Sequence, residues 1–283
     1  MRILVTGGSG YVGRALVPQL GAAGHEVIVA GRADADLRDV TAAAALVDRV
    51  RPDAVVAAAW EATPGVYWTS PDNPAWAQAT IALAAAARHA GVRRFLGVGS
   101  CAEYDWSAPD LDEGVAAELP ATPYGRAKLD ACRGLLALAS ETFRPAWGRL
   151  FYLFGGDEHP SRLVPSVGYA LRQGEPALCT HGEQVRDFLH VDDVGGALAA
   201  LLLSEVDGPV NIASGTPVRV RDVIEGLARR LGRPDLVRLG ARPMTEPARL
   251  VTRATRLRTE VGWQPRYTLD TALDATAGHW SAR

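Results

Sequence analysis

Thr6-Gly7-Gly8-Ser9-Gly10-Tyr11-Val12-Gly13 joins the apolar, β-branched run Arg2–Thr6 to the helical stretch Val12–Ala22 without a gap. Glycine is needed here because the turn out of the strand is tight, because the backbone must approach a bound group closely, and because the helix must pack against the strand. A helix that starts there presents free N–H groups and a partial positive charge, which suits a pyrophosphate. Gly7, Gly10, Tyr11, Val12 and Gly13 are therefore candidate contacts of a dinucleotide, with Ala58 at the end of a later strand.

Outward from this turn, short β-branched runs alternate with alanine-rich helical stretches. Strands are expected at Arg2–Thr6, Glu26–Ala30, Ala54–Ala58, Arg94–Ser100 and Ala146–Phe151, and helices at Val12–Ala22, Thr41–Val50, Ala75–Ala90 and Gly125–Thr142. That alternation predicts an α/β fold, a doubly wound, Rossmann-like parallel sheet covered on both faces. The pattern loosens after Phe154. A loop at 155–160 precedes a helix at Pro165–Gln173, a strand at Gly208–Ile212 and helices at Val220–Leu231 and Leu269–Trp280, with an irregular stretch at 233–266 rich in proline and arginine. The expected division is a dinucleotide-binding domain at 1–154, to which 186–212 returns, and a smaller C-terminal substrate-binding lobe over 155–283.

The end of the second strand bears on the choice of cofactor. An NAD site carries an acidic residue there for the adenosine ribose 2′-hydroxyl. Here Val27-Ile28-Val29-Ala30 runs into Gly31-Arg32 with no carboxylate in that place. A 2′-phosphate is bound by an arginine, through a charge-assisted bond of about 1.5–3 kcal/mol, and repelled by an aspartate. Arg32 thus predicts NADP(H), with Asp36 and Leu37 near the adenine.

Ser100 ends its strand on the edge where open α/β sheets take ligands. Tyr124 and Lys128 stand at i and i+4, on one face of a helix that Pro123 keeps from extending backwards. An ammonium near a phenol stabilises its anion, so Tyr124 can give a proton to a forming alkoxide or take one from an alcohol. Trp60, Tyr67, Trp68 and Trp106 fall in loops after strand ends, where aromatic rings line a sugar or base pocket.

Taken together, these pieces make the chain resemble the extended short-chain dehydrogenases, the group of nucleotide-sugar epimerases, dehydratases and ketoreductases. The resemblance rests on TGGSGYVG at 6–13, Gly99-Ser100-Cys101-Ala102-Glu103-Tyr104, the Tyr124/Lys128 pair and Arg149-Leu150-Phe151-Tyr152-Leu153-Phe154-Gly155. Arg186-Asp187-Phe188-Leu189-His190-Val191-Asp192-Asp193 and Val261-Gly262-Trp263-Gln264-Pro265 complete it, in family order. It implies that Ser100, Tyr124 and Lys128 carry the chemistry, that Lys128 holds the nicotinamide ribose, and that Arg186 meets a substrate diphosphate. Arg242 resembles a second phosphate-binding arginine, and relatives often dimerise through the helix carrying Tyr124, so a homodimer is expected. Two departures stand out. Tyr152 replaces a common asparagine, which changes a substrate contact. Cys101-Ala102 replaces the Asp-Glu pair of the dehydratases, which disfavours dehydration. His159, in a loop over the expected substrate side, is a candidate second acid or substrate contact.

Composition sets further bounds. A net charge of −2 provides no broad basic face for nucleic acid, and no run of about twenty apolar residues spans a bilayer. Cys101, Cys132 and Cys179 are odd in number and lack metal-ligand spacing, so a metal-free protein of the reducing cytoplasm is expected. The expected activity is NADPH-dependent reduction of a keto group on a nucleotide-diphospho-(deoxy)sugar, with the proton from Tyr124. The alternatives are a nucleotide-sugar epimerase using bound NAD, and a non-catalytic NADP(H)-binding sensor.

Overall fold

A computed structural model describes residues 1–281 of the chain. Its first half follows the expected alternation: β1 (Arg2–Thr6), α1 (Tyr11–Ala22), β2 (Glu26–Ala30), α2 (Val40–Val50), β3 (Ala54–Ala57), α3 (Asn73–His89), β4 (Arg94–Ser100), α4 (Pro123–Leu136) and β5 (Arg144–Leu150). Helix α4 stops six residues short of the expected Thr142, because Ser140 and Phe143 pair in a small bridge that turns the chain into β5.

With β9 (Gly208–Ile212), these strands form one parallel sheet in the order β2-β1-β3-β4-β5-β9. Alternation along each strand divides the core between its two faces. Ile3, Val5, Ala54, Val56, Leu96 and Val98 point one way, towards Leu16 and Leu20 of α1. Leu4, Val55 and Phe95 point the other way, towards Leu46 of α2, Leu83 of α3 and Leu135 of α4. Both faces are therefore buried at the middle of the sheet, and the central strands β1 and β3 are apolar along their buried length, as a sheet covered on two sides requires.

The chain leaves β1 for β2 on one side and returns to β3 on the other. The strand ends of β1 and β3 thus border the point where the winding reverses, and such sheets bind ligands there.

The rest of the chain supplies β6 (Tyr152–Phe154), α5 (Leu163–Arg172), β7 (Ala177–Leu178), β8 (Val185–His190), α6 (Val191–Leu203), β10 (Pro217–Arg219), α7 (Val220–Arg230), β11 (Val237–Arg238), β12 (Arg249–Leu250), α8 (Thr255–Thr259) and α9 (Leu269–Ser281). Of the 186–212 stretch, β9 lies in the large sheet, while β8 pairs with β6, β10 and β12 in a second one. Helix α6 was not expected. Its apolar composition hides the helical period, and Val194, Leu198 and Leu201 join the core beside α1. A third cluster, including Phe154, Leu171, Ile224, Leu227, Leu273 and Trp280, holds α5, α7 and α9 together. Among the described residues no helix is long and apolar enough to cross a membrane.

Candidate active site

The glycine turn has the geometry a dinucleotide needs. Gly7 has φ +75°, and a β-carbon there would stand 2.5 Å from the backbone nitrogen of Ala59, beside Ala58 at the end of β3. A β-carbon on Gly13 would collide with Gly7 and Gly8. Helix α1 starts at Tyr11, after Gly10, with no side chain capping it, so its first N–H groups are available to an anion. Val12 packs on the core. The Tyr11 hydroxyl is buried without a partner. These residues fit the pyrophosphate of a nicotinamide dinucleotide.

At the end of β2 one expectation is corrected. The turn Gly31–Asp34 folds back on itself, with the Asp34 N–H donating to the Gly31 carbonyl at 3.0 Å. This brings the Asp34 carboxylate to the Gly31 N–H at 2.8 Å. A carboxylate therefore does stand at this strand end, three residues later in sequence than the strand alone indicates. The Arg32 side chain beside it is 80% exposed and pairs loosely with Asp36 at 3.8 Å. Asp36 is gripped by both arms of Arg38, and Leu37 packs on the core below. The site presents two guanidinium groups and two carboxylates together.

Ser100, Tyr124 and Lys128 converge at the C-terminal end of β4. The Ser100 side chain accepts the Ala102 N–H at 3.2 Å and stands beside the Tyr124 phenol, whose ionisation it eases. Burial and the neighbouring Tyr67 push the Tyr124 phenol far above its ordinary pKa, with the serine only partly opposing them. It is therefore a protonated donor at any physiological pH. The Lys128 Nζ donates to the Val98 carbonyl at 2.8 Å and lies 3.7 Å from the centre of the Trp60 ring. Burial lowers its pKa to about 7, against an opposing pull from Glu103.

Four aromatic rings close over this group. Tyr67, Trp68 and Trp60 meet Tyr124 edge-on at 4.7, 5.5 and 6.2 Å between centroids, and Trp106 backs Trp68 at 5.9 Å. The Trp68 carbonyl accepts the Tyr124 N–H, so the 63–69 loop is tied to the start of α4. From the start of α5, Arg162 reaches the Tyr67 hydroxyl at 3.3 Å.

The remaining expected residues scatter. Arg186 is buried, donating to Glu246 at 3.0 Å and to the Pro247 carbonyl at 2.8 Å, with its guanidinium 5.1 Å from the centre of the Tyr152 ring. Its Nε has no acceptor. Arg242 is exposed, its backbone N–H bonded to the Cys179 carbonyl. His159 is exposed too, and its ring bonds Ser161 in its own loop. The three cysteines are free and buried, and burial pushes the Cys101 thiol up to about 12. Among the described residues no group of histidine, cysteine and carboxylate side chains could hold a metal.

Residues 3–213 match the model of the NAD-dependent epimerase/dehydratase family. The chain is 29% identical to a UDP-glucose 4-epimerase of Streptomyces lividans, covering 99% of this chain and 95% of that one. It is 32% identical to a 2'-dehydrokanamycin reductase of Streptomyces kanamyceticus, covering 83% and 68%. In structure it is similar to the NADPH complex of RMD from Pseudomonas aeruginosa, with a TM-score of 0.83, 26% identity, and coverage of 100% and 99%. The chain belongs to the NAD-dependent epimerase/dehydratase family, within the extended short-chain dehydrogenases.

Proposed function

We propose that the protein reduces a keto group on a nucleotide-diphosphosugar with NADPH, and that Ser100, Tyr124 and Lys128 carry the reaction. The observation behind this is the convergence of Ser100 at the end of β4 with Tyr124 and Lys128 of α4, the Lys128 Nζ donating to the Val98 carbonyl at 2.8 Å under a cover of aromatic rings. NADPH, when bound, supplies the hydride for the carbonyl carbon. Tyr124 gives its proton to the carbonyl oxygen, so C=O becomes CH–OH, and Ser100 holds that oxygen by a hydrogen bond. In its protonated form Lys128 places positive charge near the phenol and favours release of its proton. The aromatic rings exclude water and offer flat faces to a sugar. The orphaned Nε of Arg186 leaves a donor for a phosphate oxygen.

Support for reduction comes from the reductase at 32% identity and from the NADPH-bound structural relative. A second reading, epimerisation with retained NAD, is favoured by Asp34 at the end of β2 and by the UDP-glucose 4-epimerase relative. The test follows NADPH oxidation with keto-sugar nucleotides and identifies the product. Tyr124→Phe should keep cofactor binding and lose at least about a hundredfold in turnover. Ser100→Ala should lower turnover more than binding, and the two losses should not add. Full turnover by Tyr124→Phe refutes the reading. An inverted product without net NADPH consumption replaces it with epimerisation.

A further inference from the structure

Behind Ser100, Tyr124 and Lys128, the roles of which rest on the reading above, the fold encloses a carboxylate with no accessible surface. Glu103 is 0% exposed and ends the short 3-10 turn Cys101–Glu103 that follows β4. One of its oxygens accepts the Ser100 N–H at 2.8 Å and the Trp147 indole N–H at 2.9 Å. The other accepts Arg149 Nε at 2.6 Å. Arg149, also buried, pairs in turn with Glu118, which meets Arg133 of α4 at 3.3 Å. A buried carboxylate is costly unless its lone pairs are satisfied, and this one is satisfied from three directions.

The partners are placed by the sheet itself. Register sets Gly97 opposite Trp147 and Gly99 opposite Arg149, and the indole lies across both glycines. A β-carbon on Gly99 would stand 2.5 Å from Glu103 Oε1. On the other side, Gly125 of α4 abuts the Ala102 carbonyl. The turn that Glu103 anchors is thus the surface on which the first turn of α4, carrying Tyr124, is seated.

We propose that Glu103 is a positioning residue: its carboxylate fixes the backbone of Ser100 and supplies negative charge behind the Tyr124–Lys128 pair. Several groups face it. Lys128, Cys132 and Tyr124 come from α4, Cys101 and Tyr104 from its own turn, and Arg149 from β5. Arg149 is committed to Glu103 and Glu118 together, and the thiols and phenols are neutral. The Lys128 ammonium is the remaining cation that responds to this charge.

Lys128 is the only lysine in the sequence. Protein grown with carbon-13 lysine therefore gives one side-chain signal, and its titration reports Lys128 directly, without any turnover assay. In the unsubstituted protein the midpoint should fall near 7. Glu103→Gln keeps size and hydrogen bonding but removes the charge, so the midpoint should move to lower pH. Trp147→Phe removes one donor from the carboxylate and leaves its charge less compensated, so the midpoint should move to higher pH. Where turnover is measured, Glu103→Gln should lower kcat at least about tenfold with KM little changed. A purely structural Glu103 would lower thermal stability in both variants and leave both midpoints in place. Unmoved midpoints overturn the proposal. Should Glu103→Gln fail to fold, the Trp147→Phe midpoint decides alone. Turnover that is absent in the unsubstituted protein speaks against keto reduction and leaves the lysine titration standing as the test of Glu103.

Discussion

The indole of Trp147 lies on the backbone of Gly99, its nitrogen aimed past the glycine at the Glu103 carboxylate. No β-carbon fits at Gly99, so Gly99→Ala must displace the indole, the carboxylate or the strand. Overpacking of this kind costs about 1–3 kcal/mol. The displaced Glu103 also releases the Ser100 N–H, so turnover should fall at least about tenfold beyond what stability explains. Gly21→Ala is the control, since nothing lies within 4 Å of a β-carbon there and it sits within α1. That change should be neutral or stabilise by roughly 0.5–1 kcal/mol. Urea unfolding with steady-state rates checks both, and a fully active Gly99→Ala protein would show that the indole contact does not reach the serine.

Lys128→Met should stabilise the protein while harming its activity. Burial lowers the pKa of this ammonium to about 7, below its value of about 10.4 in an unfolded chain. Between those pH values the unfolded chain binds more protons, so stability rises with pH across that window. The cost is full below pH 7, where a shift of this size corresponds to roughly 5 kcal/mol. Methionine keeps the length without the charge. The variant should therefore be more stable than its parent at pH 6, and the gap should close by pH 10. Urea titrations at pH 6, 8 and 10 measure this, and a gap independent of pH would mean that Lys128 is not desolvated in solution.

The fold was legible because its signals are local. A glycine turn following a strand, and apolar runs alternating with alanine-rich helices, are written within single windows of sequence. That Ser100 ends β4 and that Tyr124 and Lys128 share one face of α4 could be read for the same reason, since a strand end and an i, i+4 pair are local spacings. Glu103 was visible only as a member of a familiar segment, because its partners Trp147 and Arg149 lie on the neighbouring strand, 44 and 46 residues away. Asp34 was missed because a turn carries it back to Gly31. Glu246 was missed because its partner Arg186 lies 60 residues earlier, across the second sheet.

Cofactor choice should depend on Arg32. The Arg32 side chain is free enough to meet a 2′-phosphate, while Asp34 at the same strand end suits a 2′-hydroxyl. Under the NADPH reading, NADP(H) binds at least about tenfold tighter than NAD(H), and Arg32→Ala removes most of that difference. Asp34→Asn should widen the preference by removing a repelling charge. Fluorescence titration of the reduced dinucleotides measures all three. Equal affinities in the unsubstituted protein would move the balance to a retained NAD and hence to epimerisation.

The Arg186–Glu246 pair predicts how a substrate diphosphate is admitted. Arg186 is buried and held in place by the Val185 and Pro247 carbonyls, but its charge is matched by Glu246, whose side chain is 60% exposed. A diphosphate that binds Arg186 must take over from that carboxylate. Glu246→Gln keeps a hydrogen-bond acceptor for Arg186 while removing the competing charge, so a nucleoside diphosphate should bind about tenfold tighter, a gain of about 1.4 kcal/mol, near the lower end of what one charge-assisted bond contributes. Arg186→Ala should weaken the same ligand by a similar or larger factor. Neither change should alter the affinity for NADPH, because β8 lies in the second sheet, apart from the glycine turn after β1. Calorimetric titration with UDP and with NADPH separates the two sites. Unchanged UDP affinity in both variants would remove Arg186 from the substrate site, and with it the diphosphate half of the proposed substrate. A loss confined to NADPH would place Arg186 with the cofactor instead.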